Sequence, residues 1–192
     1  MRWRKLGVWD RVFEADKEGY FRAELPGRFR AGWNDVPVAL AGAPGVRATA
    51  RVLVPSAKAR FGVISDIDDT VVKSDVTRKL HMLVTVALSN ARTRKPFAGV
   101  AAFYRALHRE VNPLFYVSMS PWNLYAPLVE YLELQGLPAG PLLLRDFGWR
   151  MPKAHKERAV SAILGRYPRL PFVLIGDSGE RDPEIYAGIV RR

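Results

Sequence analysis

The hydrophobic pattern of the chain changes character near Arg60. Before it, apolar residues come in short alternating stretches. Val12-Phe-Glu-Ala15, Tyr20 to Leu25 and Ala48 to Val54 each read as a strand with one face turned inward. Asp16-Lys-Glu-Gly19 reads as a turn, with Gly19 free to take positive φ. Pro26-Gly27, Gly32, Pro37, Gly42 and Pro44-Gly45 read as breaks between strands. Residues 1–58 therefore read as a β-rich segment, part of an antiparallel sandwich with few hydrophobes of its own. Pro55-Ser-Ala-Lys58 reads as a linker into a second domain over 59–192.

After Arg60 the apolar residues gather into continuous runs separated by helical spacing. Phe61 to Ser65, Leu114 to Val117, Leu142 to Leu144 and Phe172 to Ile175 read as buried strands. Phe97 to Arg109, Leu124 to Leu134 and Ala154 to Leu164 read as helices, with Gly136 and Gly165 as stop signals. Pro127 either kinks the second of these or marks a start near Ala126. Asp182-Pro183 reads as an N-cap followed by a first-turn proline. Strands alternating with helices predict an α/β domain with a parallel sheet. Such sheets bind ligands at the carboxyl ends of their strands. The runs end in Asp66/Asp68, Ser118/Ser120 and Asp177, so these polar residues are expected to face one site.

Composition narrows the chemistry. The 192 residues are 48% hydrophobic and 26% charged, enough apolar material for a core. The chain has no cysteine, which excludes disulfides, thiolate metal sites and a cysteine nucleophile. No apolar run approaches the ~18 residues of a membrane span, and no signal core follows the basic N-terminus, so a cytoplasmic protein is expected. The net charge of +11 favours anionic partners, although an Arg/Ala/Gly/Pro-rich composition accounts for it equally well. No aromatic-plus-basic RNA motif is present, and nucleic acid is not expected as a partner.

Asp66-Ile-Asp68-Asp-Thr70 sets three carboxylates within four positions. Like charges so close repel, and a divalent cation is the usual remedy. Oxygen donors without cysteine or a histidine cluster favour Mg²⁺. An isolated Asp-x-Asp-Asp is more often an exposed turn. The apolar strand before it, with Asp177 at another strand end, turns the reading toward a site. Gly176-Asp-Ser-Gly179 also matches the nucleophile sequence of trypsin-like proteases, but the βα pattern and the missing cysteines exclude that reading.

Asp66-Ile-Asp68-Asp-Thr70, Ser118 after Leu-Phe-Tyr-Val, Lys156, and Gly176-Asp177 through Asp182 resemble, in order, the four motifs of the haloacid-dehalogenase-like phosphohydrolases. Phe115 to Asn123, His155-Lys156 and Asp182-Pro-Glu-Ile-Tyr186 are similar to the catalytic domains of the actin-patch-associated phosphatidate phosphatases of yeast and their bacterial relatives. The β-rich segment resembles the region preceding that domain in bacterial members. The resemblance implies a Rossmann-like three-layer domain with a small cap, and Mg²⁺-dependent hydrolysis of phosphatidate to diacylglycerol and phosphate.

By the same resemblance Asp66 is the nucleophile, forming an aspartyl-phosphate. Asp68 is the general acid and then base. Thr70 orients Asp68 or its loop, and Ser118 and Lys156 hold the phosphoryl oxygens. Asp66, Asp68 (through its carbonyl) and Asp177 bind Mg²⁺, while Asp182 acts through the metal's waters or positions Lys156. Lys156 is preferred over Lys153. Ser120 either assists Ser118 or caps the next turn, Asp69 either supports the site or is a solvated turn residue, and His155 either touches a leaving group or is an exposed helix-start residue. The cap falls within Val71 to Pro96. There Leu80, Leu83, Val84 and Leu88 share a helical face beside Arg92, Arg94 and Lys95, which suits either core packing or peripheral contact with an anionic membrane. A soluble phosphomonoester is the alternative substrate, and an inactive basic membrane-binding module the alternative from another class. The family's pattern continues past Arg192 with another strand, so a shortened chain with an exposed sheet edge is also expected.

Overall fold

The computed structural model describes residues 5–8, 11–16, 19–27, 29–67, 99–109, 111–145, 155–177 and 181–191. The chain forms two compact units, Met1–Pro55 and Ser56–Arg192.

The first unit holds one antiparallel sheet of strands β1 (Lys5–Val8), β2 (Arg11–Glu14), β3 (Gly32–Leu40) and β4 (Ala43–Val54), in the order β2-β1-β3-β4. The antiparallel β-rich segment is thus seen as one sheet, and a second, facing sheet is not found among the described residues. Its small core is Val8, Val36 and Val38, with Phe13, Phe21, Leu25, Phe29 and Val52 against it. The turn at Asp16 forms as expected: Gly19 has φ 93°, and the Tyr20 N–H donates to Asp16 Oδ1 at 2.9 Å. Tyr20 to Leu25 is not a strand. Phe21 and Leu25 from that stretch anchor to the core while its backbone joins no ladder. Conversely, β3 runs through Gly32 and Pro37, which the sequence pattern reads as breaks. The described pairing of β3 with β1 ends at Val38, so the missing N–H of Pro37 falls beyond it. Pairing with β4 continues from Gly32 to Leu40 and holds the strand together.

The second unit is an α/β layer structure. Strands β5 (Gly62–Asp66), β6 (Leu114–Pro121), β7 (Leu142–Arg145) and β8 (Phe172–Ile175) form a parallel sheet in the order β7-β6-β5-β8. Helices α1 (Val100–His108), α2 (Tyr125–Leu134), α3 (His155–Arg166) and α4 (Asp182–Val190) cover it. Alternation along the strands sorts the two faces. Val63, Leu114, Tyr116 and Leu142 pack with Tyr104 of α1 and Leu128, Tyr131 and Leu132 of α2. Ile64, Phe115 and Val117 pack with Ala159, Val160 and Ile163 of α3 and Tyr186 of α4. From β5 the chain steps outward through β6 to β7, then crosses back to set β8 on the other side of β5. The divergence between β5 and β8 is a topological switch point, and its carboxyl end is where such sheets bind ligands.

Several boundaries differ from the sequence pattern for identifiable reasons. β6 continues past Ser118 to Pro121. A 3₁₀ turn, Trp122–Leu124, leads into α2, which makes Pro127 its third residue. First-turn N–H groups have no intrahelical acceptor, so proline is tolerated there. α2 ends in a Schellman motif: Gly136, at φ 67°, donates to Glu133 O and Leu137 to Leu132 O. α3 includes Gly165 instead of stopping before it. Pro168, just after it, restricts Tyr167 to non-helical backbone. β8 is an edge strand of the described sheet, with Val173 38% exposed, and not a fully buried run. The N-cap of α4 is Arg181, in left-handed backbone, and not Asp182. The Asp182 side chain is engaged in the interior instead. The cap expected within 71–96 lies outside the described residues.

Candidate active site

Asp66 is the last residue of β5 and has no exposed surface. Lys156, the second residue of α3, is 2% exposed, and its ammonium lies 3.0 Å from Asp66 Oδ1. The same ammonium donates to Asp182 Oδ1 at 2.6 Å. Asp182 opens α4 and is itself fully buried. Its other oxygen accepts the Asp177 N–H at 3.3 Å. Asp177 follows β8 after Gly176 and is half-buried. Two carboxylates thus share one buried cation at the switch point, with a third carboxylate tied in through its backbone.

Gly176 makes this closeness possible. A Cβ at that position would collide with the Asp182 carboxylate, so only glycine lets the chain leave β8 there.

Ser118 and Ser120 are fully buried at the end of β6. Val117 pairs with Asp66, which puts Ser118 one residue beyond the level of the carboxylate. The Ser120 N–H donates to Ser118 Oγ at 2.9 Å. Five predicted residues therefore come to one sheet edge: Asp66, Ser118, Lys156, Asp177 and Asp182. Asp68, Asp69, Thr70 and Lys153 lie outside the described residues. His155 is half-buried, with Nε2 3.4 Å from Leu143 O.

A hydroxyl pair beneath Asp66 escaped the sequence reading. Ser65 Oγ donates to the Asp66 carbonyl at 2.8 Å and lies 2.6 Å from the Tyr104 hydroxyl. Burial pushes the Tyr104 hydroxyl up, the bond to Ser65 opposes this, and the Asp66 charge adds to the rise. Tyr104 therefore stays a neutral donor. Burial, and then the Asp182 charge, likewise raise Tyr186, whose hydroxyl donates to Ile175 O at 3.2 Å. A lone serine in an otherwise apolar buried run was the available signal, since a buried hydroxyl needs a partner.

The donor set suits a hard divalent cation in kind: Asp66 and Asp177 offer carboxylate oxygens from adjoining strand ends. Asp182, the further acid expected near the metal, has each of its oxygens accepting one hydrogen bond within the protein. Among the described residues no group of three or more acidic or histidine side chains is placed to hold a metal. The remaining predicted ligand, Asp68, lies outside them. Among the described residues, too, no helix is long and apolar enough to cross a membrane.

A buried carboxylate at the switch point thus lies beside a buried lysine, and comparison with known proteins gives the chain a family. Residues 61–192 match the family of the phosphatidate phosphatase APP1 catalytic domain, a phosphomonoesterase, and the chain belongs to that family. The match begins one residue before β5 and takes in every strand of the parallel sheet. The chain is 31% identical over 134 residues to phosphatidate phosphatase APP1 of Saccharomyces cerevisiae, covering 66% of this chain and 23% of that protein. It is 33% identical over 138 residues to an uncharacterised protein of Schizosaccharomyces pombe, covering 66% of this chain and 22% of that one. The chain thus spans under a quarter of the length of these relatives.

Proposed function

We propose that residues 59–192 form a haloacid-dehalogenase-like catalytic domain that hydrolyses phosphatidate to diacylglycerol and inorganic phosphate. The observation that supports this most is the Asp66–Lys156–Asp182 arrangement. It presents a buried carboxylate for attack and a cation anchored from behind. Asp66 attacks phosphorus, the bond to the diacylglycerol oxygen breaks, and an aspartyl-phosphate forms. Asp68, in the role its motif implies, gives its proton to the departing alkoxide. It then takes one from the water that splits the aspartyl-phosphate and releases phosphate. Lys156 and Ser118 hold phosphoryl oxygens, and Thr70 orients Asp68. Asp182 holds Lys156. Asp66, the Asp68 carbonyl and Asp177 would hold Mg²⁺, whose contribution when bound is to offset the repulsion between carboxylate and phosphate. The cation-flanked stretch from Leu80 to Lys95 would give peripheral contact with an anionic bilayer.

The test is Mg²⁺-dependent phosphate release from phosphatidate in mixed micelles, with Asp66→Asn beside the wild type. Release by the wild type alone is expected. Turnover of soluble sugar or nucleotide phosphates without turnover of phosphatidate would move the substrate to a soluble ester. Folded protein inactive on all of them would overturn the phosphatase reading.

A further inference from the structure

The carboxyl end of β6 is irregular. Its register against β7 shifts between Val117 and Pro121. The Met119–Ser120 peptide in that stretch is gripped from both sides. Arg145 Nε, at the end of β7, donates to the Met119 carbonyl. The Ser120 N–H donates to Ser118 Oγ. The grip fixes where the Ser120 side chain goes. Its Oγ is fully buried and has no hydrogen-bond partner among the described residues. It is not a helix cap: the 3₁₀ turn is capped by Pro121 and α2 by Leu124, neither through a side-chain hydrogen bond. A buried hydroxyl without a partner is destabilising, and alanine would fill the same place without that penalty. Asp66 and Ser118 are likewise without exposed surface, and the Ser120 N–H bonded to Ser118 Oγ sets Ser120 beside Ser118.

We propose that Ser120 Oγ is a second hydroxyl of the substrate site, donating to an oxygen of the phosphate ester bound beside Ser118. The proposal rests on the phosphatase reading and adds a residue to it. The acceptor missing among the described residues is supplied by the ligand, whose phosphate is rich in acceptors. Arg145 is a positioning residue here, since it holds the peptide that aims the hydroxyl.

The experiment compares wild type with Ser120→Ala. It measures thermal unfolding without ligand, calorimetric binding of inorganic phosphate in Mg²⁺ buffer, and kcat and KM on a short-chain phosphatidate. The variant is expected to unfold at the wild-type temperature or about 2–4 °C above it. Its phosphate affinity and kcat/KM are expected to fall about tenfold or more, as for loss of a hydrogen bond to a charged group. A merely structural serine would give the reverse, a lower Tm with phosphate affinity kept. Phosphate binding within twofold of wild type, or a variant that fails to fold, overturns the proposal. A wild type that binds phosphate and hydrolyses esters, beside an equal variant, overturns the Ser120 proposal alone. A wild type that does neither overturns the phosphatase reading, and the Ser120 role with it.

Discussion

Replacing Asp66 by Asn removes one of the two carboxylates that share the Lys156 ammonium, whereas replacing Lys156 by Met removes the ammonium from both. At 3.0 Å the Lys156–Asp66 attraction is about 5 kcal/mol for an effective dielectric near 20. The Asp66 and Asp182 oxygens both lie close to Nζ and so stand no more than about 5.6 Å apart, repelling by at least about 3 kcal/mol on the same scale. Asp66 therefore gains at most about 2 kcal/mol from these two charges, against a desolvation cost of several kcal/mol. The amide of Asp66→Asn keeps the shape and sheds all three contributions. Its stability should lie within about 1 kcal/mol of wild type, or above it, while phosphate release disappears. Lys156→Met strands two buried carboxylates and should lose about 3–5 kcal/mol, a large share of the ~5–15 kcal/mol of a folded domain. Urea unfolding followed by tryptophan fluorescence, read as midpoints at equal m, measures both. If Asp66→Asn lost as much as Lys156→Met, Asp66 would be the anchor of the lysine and not its target, and the reasoning would be refuted.

Gly176→Ala should drive Asp182 off Lys156, costing about 1–3 kcal/mol and at least tenfold in phosphate release. Combined with Asp182→Ala its cost should be much less than additive in a double-mutant cycle, and full additivity would count against the collision. Gly136→Ala, at φ 67°, should destabilise by about 1 kcal/mol and leave kcat unchanged; an unshifted urea midpoint would contradict the Schellman reading of the α2 end. Burial raises Tyr104, Tyr116 and Tyr186, so above about pH 10 the unfolded chain gives up these protons before the folded one does. Stability should then fall with rising pH, by up to about 1.4 kcal/mol per pH unit for each such group, and flat urea midpoints from pH 9 to 11 would refute it.

The parallel sheet was legible because β5 and β6 are buried on both faces. Such strands show as unbroken apolar runs, and their ends mark the site without any pairing information. The first unit was harder. Tyr20 to Leu25 alternates like a strand, yet Phe21 and Leu25 serve only as anchors. Gly32 to Leu40 carries breakers, yet β4 holds it extended through nine residues. In both places tertiary pairing decided what local pattern could not. At the site, the strand-end polar residues were readable from position alone. The Ser65–Tyr104 bond was not, because its partners stand 39 residues apart and neither breaks the period of its own element. Asp182 misled for a related reason. Asp before Pro is good capping chemistry, but the Lys156 ammonium is a stronger partner than a backbone N–H, and the cap moved back to Arg181.

The order of the chain explains why the cation is held from behind. Asp66 ends the first strand of the parallel sheet, whereas Lys156 comes at the start of the crossing helix α3 and Asp182 only after β8. The crossing helix α3 must start near the carboxyl edge to descend toward β8, which brings its second residue over the end of β5. Without Asp182, Lys156 and Asp66 would form a closed one-to-one pair. A carboxylate neutralised in that way is a poor nucleophile. Docking α4 adds Asp182 at the shorter distance, 2.6 Å against 3.0 Å, and Lys156 then has a stronger partner than the one it faces. With Asp182 bonded to the same ammonium, Asp66 shares its cation instead of pairing with it one to one.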